Sequence, residues 1–205
     1  MFREESVWIK ECLSKITISS TNNRAANLGS SNTHLRTVIQ PHIHQNLIEP
    51  LVQRGVSIVH IDFKKDDGVD VVADLTNANF GADMAGKFAL TICTNMLEHV
   101  ENIPLVVNNL MKITSKDGYI LLTVPYKYKI HHDPIDNGFR PTPQEIADLF
   151  KQESIEVFDK KIIIINDKQY YTVKKSKFPV WGHREIINYH LGIKHKVSGI
   201  LIKKK

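Results

Sequence analysis

Apolar residues recur along the chain with two alternating periods. Trp8, Ile9, Cys12, Leu13 and Ile16 fall at helical spacing, which predicts an opening amphipathic helix over residues 4–17. A short segment around Arg24–Leu28 leads into Gly29-Ser30-Ser31-Asn32-Thr33, where Ser and Asn are good helix N-caps. The periodic stretch that follows is interrupted at Pro41 and resumes over 43–53, stopping at Gly55. Val56–Asp62, Val69–Leu75 and Phe88–Thr94 are apolar runs that read as strands, the first two with an acid at or near the end. Residues 103–113 read as a helix, stopped by Ser115-Lys116-Asp117-Gly118. Tyr119–Pro125 is another buried strand, and Pro143–Phe150 a short helix with proline in its first turn. Ile155–Ile165 and Ser198–Ile202 complete the strand-like runs.

Strands alternating with helices, and apolar enough to be buried on both faces, predict an α/β domain with a largely parallel sheet covered by helices. Residues 1–205 are expected to form one domain, a usual size for a single unit. Residues 166–197 fit the alternation worst and are read as an insertion before the last strand.

Composition narrows the class. A hydrophobic share of 42% with 24% charged residues is an ordinary globular mix that supports a core. No apolar run reaches the ~20 residues that span a bilayer, and the charged start of the chain lacks the apolar stretch of a secretory signal. With two cysteines, Cys12 and Cys93, and no CxxC pair, neither a disulfide framework nor a thiolate zinc site is indicated. A cytoplasmic location is the expectation. Charge is uneven: residues 151–205 hold 13 Lys/Arg against 5 Asp/Glu, and residues 1–150 hold 14 against 17. A basic flank steers phosphate-rich partners, although a solvated surface with a fraying lysine tail is the plainer reading.

Parallel sheets bind ligands beyond the carboxyl ends of their strands, and there the polar residues of interest fall. Gly29 permits a tight turn and close backbone approach, and the following helix start supplies free N–H groups. Asp62 ends the second strand, where a carboxylate can accept both hydroxyls of a ribose. Asp74, near the end of the third, could meet an adenine amino group. Each has a plain alternative as a turn residue or a solvated acid; the succession carries more weight than any one.

Asn27-Leu28-Gly29-Ser30-Ser31, His60-Ile61-Asp62, Val72-Ala73-Asp74-Leu75, Thr94-Asn95-Met96-Leu97-Glu98-His99-Val100 and Gly118-Tyr119-Ile120-Leu121-Leu122-Thr123-Val124-Pro125 resemble, in this order, the motifs of class I S-adenosylmethionine-dependent methyltransferases. The similarity is closest to small-molecule and biosynthetic members with a Leu-Glu-His-Val segment, and it covers roughly residues 24–165. It implies a doubly wound, mostly parallel seven-stranded sheet with helices on both faces. It also implies S-adenosylmethionine as cofactor: Asn27, Gly29, Ser30 and Ser31 along the methionine and ribose, Asp62 on the ribose hydroxyls, Phe63 against adenine. Asp74 and Leu75 would bound the adenine pocket, and Asn95 would contact the methionine end. The first motif departs from the family, which usually carries an acid and two or three glycines where this chain has Asn27 and the lone Gly29.

The segment from Tyr126 to Pro141 follows the fifth strand, where the family places the roof over the acceptor. Its His, Asp, Tyr and Arg residues are the types that orient a hydroxyl and take its proton. His132 or His131 is the candidate base with Asp133 as orienting partner, and His99 is a second candidate, equally suited to capping the next helix. Tyr126, Asp133 and Arg140 are candidate acceptor contacts, although Arg140 could simply pair with Asp133 or Asp136. Adjacent histidines rarely share one ion, so no metal site is assigned. The leading function is methyl transfer to an oxygen, or a nitrogen, of a small polar or glycan-type acceptor. A nucleic-acid methyltransferase or RNA-binding module is the rival that the basic C-terminal part suggests, and a non-catalytic scaffold is another. A dinucleotide-binding dehydrogenase needs a Gly-x-Gly-x-x-Gly turn that the chain lacks.

Overall fold

The computed structural model describes residues 1–131, 135–177 and 179–205, and within 173–182 the backbone alone. The chain runs α1 (Arg3–Lys15), β1 (Arg24–Leu28), a helical stretch including α2 (Pro41–Ile43) and α3 (Glu49–Gln53), β2 (Ser57–Asp62), β3 (Val71–Val72) and β4 (Phe88–Thr94). It continues through α4 (Ile103–Ile113), β5 (Thr114–Lys127), α5 (Pro143–Asp148), β6 (Ile155–Ile164), α6 (Lys168–Lys177), α7 (Pro179–His190) and β7 (Lys196–Lys204).

The seven strands form one sheet in the order β3-β2-β1-β4-β5-β7-β6. β1 pairs in parallel with both β2 and β4, so chain order reverses between β1 and β4. β7 inserts antiparallel between β5 and β6. The largely parallel sheet expected from the alternation is therefore present, and it is doubly wound with seven strands as the resemblance implies.

Alternation along each strand fills two cores. Ala26, Leu28, Ile120, Leu122, Ile200 and Ile202 face α4 and α5, where Val106, Leu110 and Phe150 meet them. Ala25, Leu90, Ile92, Leu121, Val197 and Leu201 face Trp8, Ile9 and Leu13 of α1 and Leu47 and Leu51 of the second helical stretch. A strand burying consecutive residues on opposite faces is what a helix-covered sheet requires. Trp8 lies flat enough on β7 that a Cβ at Gly199 would run into its ring, so this strand needs glycine there.

Three elements differ from expectation. The strand foreseen over Val69–Leu75 shrinks to Val71–Val72. Asp74 folds back to accept hydrogen bonds from the Thr76 N–H (2.8 Å) and hydroxyl (2.7 Å), turning the chain out of the extended state. The periodic stretch foreseen before Pro41 and the helix foreseen over 43–53 contain wide π turns, at Leu35–Ile39 and His44–Ile48, next to Pro41 and Pro50, whose missing N–H groups interrupt an α-helical ladder. The fifth strand begins at Thr114, taking in the expected turn, with Asp117 in the left-handed region at φ 60°. Among the described residues no helix is long and apolar enough to cross a membrane.

Candidate functional site

A cavity of about 710 Å³ opens beyond the carboxyl ends of β1, β2 and β4, where the strand order reverses. The turn after β1 forms one wall. Gly29 sits at φ 64° against Met96, whose sulfur occupies the place a Cβ would take, so no other residue fits there without displacing it. Ser31 also adopts the left-handed region, at φ 54°, which costs a non-glycine residue about 1–2 kcal/mol.

Asp62 fixes this turn. One carboxylate oxygen accepts from the Ser31 N–H (2.7 Å) and the other from the Lys64 N–H (3.1 Å). A carboxylate has about four acceptor sites, so two donors leave room for two more, the number a ribose diol supplies. From beneath, buried Arg36 donates to the Ser30 and Ser31 carbonyls and to the Gly68 carbonyl (2.9 Å). Its guanidinium pKa is lowered by burial, against the raising effect of Asp70, Asp67 and Asp62. This fork holds in place a turn that lacks further glycines.

Phe63, Asp74, Leu75, Met96, Val100 and Ile135 line the rest of the cavity together with His99. The Nδ1 of His99 lies 2.5 Å from the Ile135 carbonyl. A carbonyl only accepts, so Nδ1 carries a proton, and in the neutral ring the lone pair is then on Nε2. Beside it, Glu98 is 1% exposed, and burial pushes its carboxyl up to about 8. Its Oε1 is 3.8 Å from His99 Nε2, and Oε2 has no hydrogen-bond partner among the described residues.

The structure thus gathers Gly29, Ser31, Asp62, Phe63, Asp74, Leu75 and His99 around one cavity. Other anticipated residues lie elsewhere. The Asn27 amide meets His60 Nδ1 at 3.1 Å; burial first, and the nearby Arg36 charge second, lower this imidazole to about 4, so it accepts. Ser30 contributes its carbonyl to Arg36, and its hydroxyl meets the Ser31 carbonyl. Asn95, at φ 52°, points its amide at Glu5 (2.7 Å). Arg140 is committed to Asp136 through a two-pronged contact (3.1 and 2.6 Å), which holds the Asp136 carboxyl far below the usual carboxylate range. His131 Nδ1 lies 3.2 Å from the same carboxylate, and burial lowers its pKa. Tyr126 is half-buried and does not line the cavity. His132 and Asp133 lie outside the described residues.

Arg36 and Glu5 escaped the sequence reading. Glu5 is fully buried and binds Asn95 (2.7 Å) and the Thr123 hydroxyl (2.6 Å), tying α1 to the ends of β4 and β5. Its position three and four residues before Trp8 and Ile9, on the apolar stripe of α1, was the available signal. Arg36 carried none, because one arginine near a helix start looks like a solvated charge.

This strand order with its antiparallel seventh strand, and a ligand-sized cavity at the reversal, define a class I methyltransferase-type fold. No family model and no curated protein matches the chain by sequence. Among solved structures, coclaurine N-methyltransferase bound to N-methylheliamine and S-adenosylhomocysteine aligns over 98% of this chain and 71% of its own, at 14% identity and TM-score 0.60. Geranyl diphosphate methyltransferase, in complex with GPP and sinefungin, aligns over 98% and 78% at 11% identity and TM-score 0.61. The [4+2]-cyclase SpnF aligns over 96% and 80% at 10% identity and TM-score 0.52. At these identities the likeness is one of fold, and that fold also carries a cyclase.

Proposed function

We propose that the chain is an S-adenosylmethionine-dependent methyltransferase acting on a small polar acceptor, with a sugar-like hydroxyl as the preferred nucleophile. The observation that carries this reading is Asp62, with a left-handed turn at Gly29–Ser31 on its carboxylate and open acceptor sites toward the cavity. The residues fit the cofactor. Asp62 suits the ribose diol, Phe63 and Leu75 give apolar surface for a purine, and the volume lies within the ~300–1,000 Å³ of ligand sites.

When bound, S-adenosylmethionine supplies a sulfonium methyl group, open to in-line displacement by a nucleophile. The chain's part is to align the acceptor, exclude water and receive one proton. His99 is best suited to that last role: its Nδ1–H is held by the Ile135 carbonyl, and its ring lines the cavity. His131 is turned to Asp136 instead. In that role His99 would receive the hydroxyl proton of the acceptor, while the cofactor would supply the methyl group.

Calorimetric titration with S-adenosylhomocysteine tests the reading. Binding that is lost in Asp62→Ala supports it, and no heat at millimolar ligand overturns it.

A further inference from the structure

A second cavity, of about 320 Å³, lies at the far end of β5. Its walls come from three places: Lys127, Tyr128 and Lys129 at the end of that strand, Arg184, Glu185 and Asn188 on α7, and Ile193, Lys194 and His195 ahead of β7. Arg184 and Asn188 are four apart on α7 and so share a face. Four cationic side chains thus line the space against one carboxylate, and that carboxylate is already engaged: Glu185 meets His195 at 2.8 Å and Lys129 at 4.0 Å, while Lys194 donates to the Asn166 side chain at 2.6 Å. Lys127 and Arg184 form no ion pair among the described residues.

Like charges converging on one concavity repel unless something anionic sits among them, so their arrangement favours a bound oxyanion. A single carboxylate would leave most of this charge uncompensated. A phosphate ester carries about −1.5 to −2 at neutral pH, and a diphosphate more, which matches the walls better. A row of ring contacts links the wall of this cavity to that of the first. His99, on the wall of the larger cavity, packs edge-on against His131 (5.1 Å between ring centres). His131 packs against Tyr128 (5.3 Å), and Tyr128 against His195 (4.7 Å). This row of rings runs from the proposed base to the basic cavity.

We infer that the second cavity is an anion subsite for a phosphate- or diphosphate-bearing small molecule, whose other end reaches along the ring row to His99. As an acceptor subsite it rests on the methyltransferase reading; as an anion site it stands without it. The concavity, and the scarcity of further cations on its walls, favour a small ligand over a polynucleotide, which needs an extended basic track.

The test is titration of the full chain with inorganic pyrophosphate at low salt, alone and with saturating S-adenosylhomocysteine. Expected is binding that S-adenosylhomocysteine does not displace. It should weaken at least tenfold in the double variant Lys127→Gln/Arg184→Gln, both exposed positions, while S-adenosylhomocysteine affinity stays unchanged. It is overturned by no pyrophosphate binding, displacement by S-adenosylhomocysteine, unchanged binding in the double variant, or equal binding of sulfate. Tighter binding of a single-stranded RNA, lost in the same variant, also overturns it and names a polynucleotide as the occupant. Because S-adenosylhomocysteine is measured separately, failure of the anion site and failure of the cofactor reading are distinguishable.

Discussion

Replacing Arg36 with alanine removes three hydrogen bonds at once, to the carbonyls of Ser30, Ser31 and Gly68. Ser30 is buried, so its carbonyl is left without water or partner, at about 1–3 kcal/mol. Gly68 is exposed and Ser31 half-buried, so water replaces much of what those carbonyls lose, and each contributes about 0.5–1 kcal/mol. The fold should lose about 3 kcal/mol, a fall of roughly 6–12 °C in melting temperature for a chain of this size. Binding should suffer separately. Ser31 holds a conformation costing about 1–2 kcal/mol, and without the clamp the turn populates others, so apparent affinity for S-adenosylhomocysteine drops by about tenfold. Arg36→Lys should recover little, since one ammonium cannot reproduce a fork reaching three carbonyls. Adding Ser31→Gly to Arg36→Ala should recover part of the affinity, because glycine adopts the left-handed turn unaided. Urea denaturation and calorimetry read the two effects. A loss under about 1 kcal/mol with unchanged affinity would refute the idea that Arg36 takes over the work of absent glycines.

Asp62→Ala should weaken S-adenosylhomocysteine by at least about tenfold, the scale of a lost hydrogen bond to a charged group, and equal affinity would mean that another acid holds the ribose. His99→Gln should lower turnover while leaving S-adenosylhomocysteine affinity intact; full activity would remove His99 as the base. Gly29→Ala should abolish cofactor binding because the new methyl group meets Met96, and an additional Met96→Ala should restore only part, the φ of 64° remaining unfavourable. Glu98 is raised to about 8 in the fold from 4.5, so the folded state keeps a proton that the unfolded chain releases. Its contribution is full below about 4.5 and is lost as pH rises through about 8, so Glu98→Gln should flatten a decline in urea midpoint across that window. His60 acts in the opposite sense. Lowered to about 4 from 6.5, it resists protonation in the fold, so stability falls as pH drops from 6.5 toward 4, and His60→Gln should remove that dependence.

The parallel sheet was legible because each central strand buries both faces, and such strands appear as unbroken apolar runs: Phe88–Thr94 was bounded correctly on pattern alone, as was the helix over residues 103–113 by its own spacing. The third strand was misjudged, since a run of valines does not reveal that Asp74 will fold back on Thr76. At the candidate site, the placement of Gly29 and Asp62 on the cavity wall followed from their position at strand ends. Residues that act through contacts distant in sequence could not be read this way. Glu5 reaches Thr123 across 118 residues and Asn137 reaches Leu97 across 40, and no local pattern encodes either pairing. Asn95 illustrates the consequence. Its place after β4 suggested a cofactor contact, yet Glu5 draws its amide away while its backbone stays at φ 52°. A non-glycine residue holds that conformation only when its surroundings over-determine it, and here they do: Glu5 takes the side chain and the Thr123 carbonyl takes the N–H at 2.8 Å. The next residue, Met96, is thereby directed onto Gly29. The N-terminal helix, which touches the cavity nowhere, thus acts on the turn after β1 through a buried carboxylate, a strained asparagine and a methionine in contact.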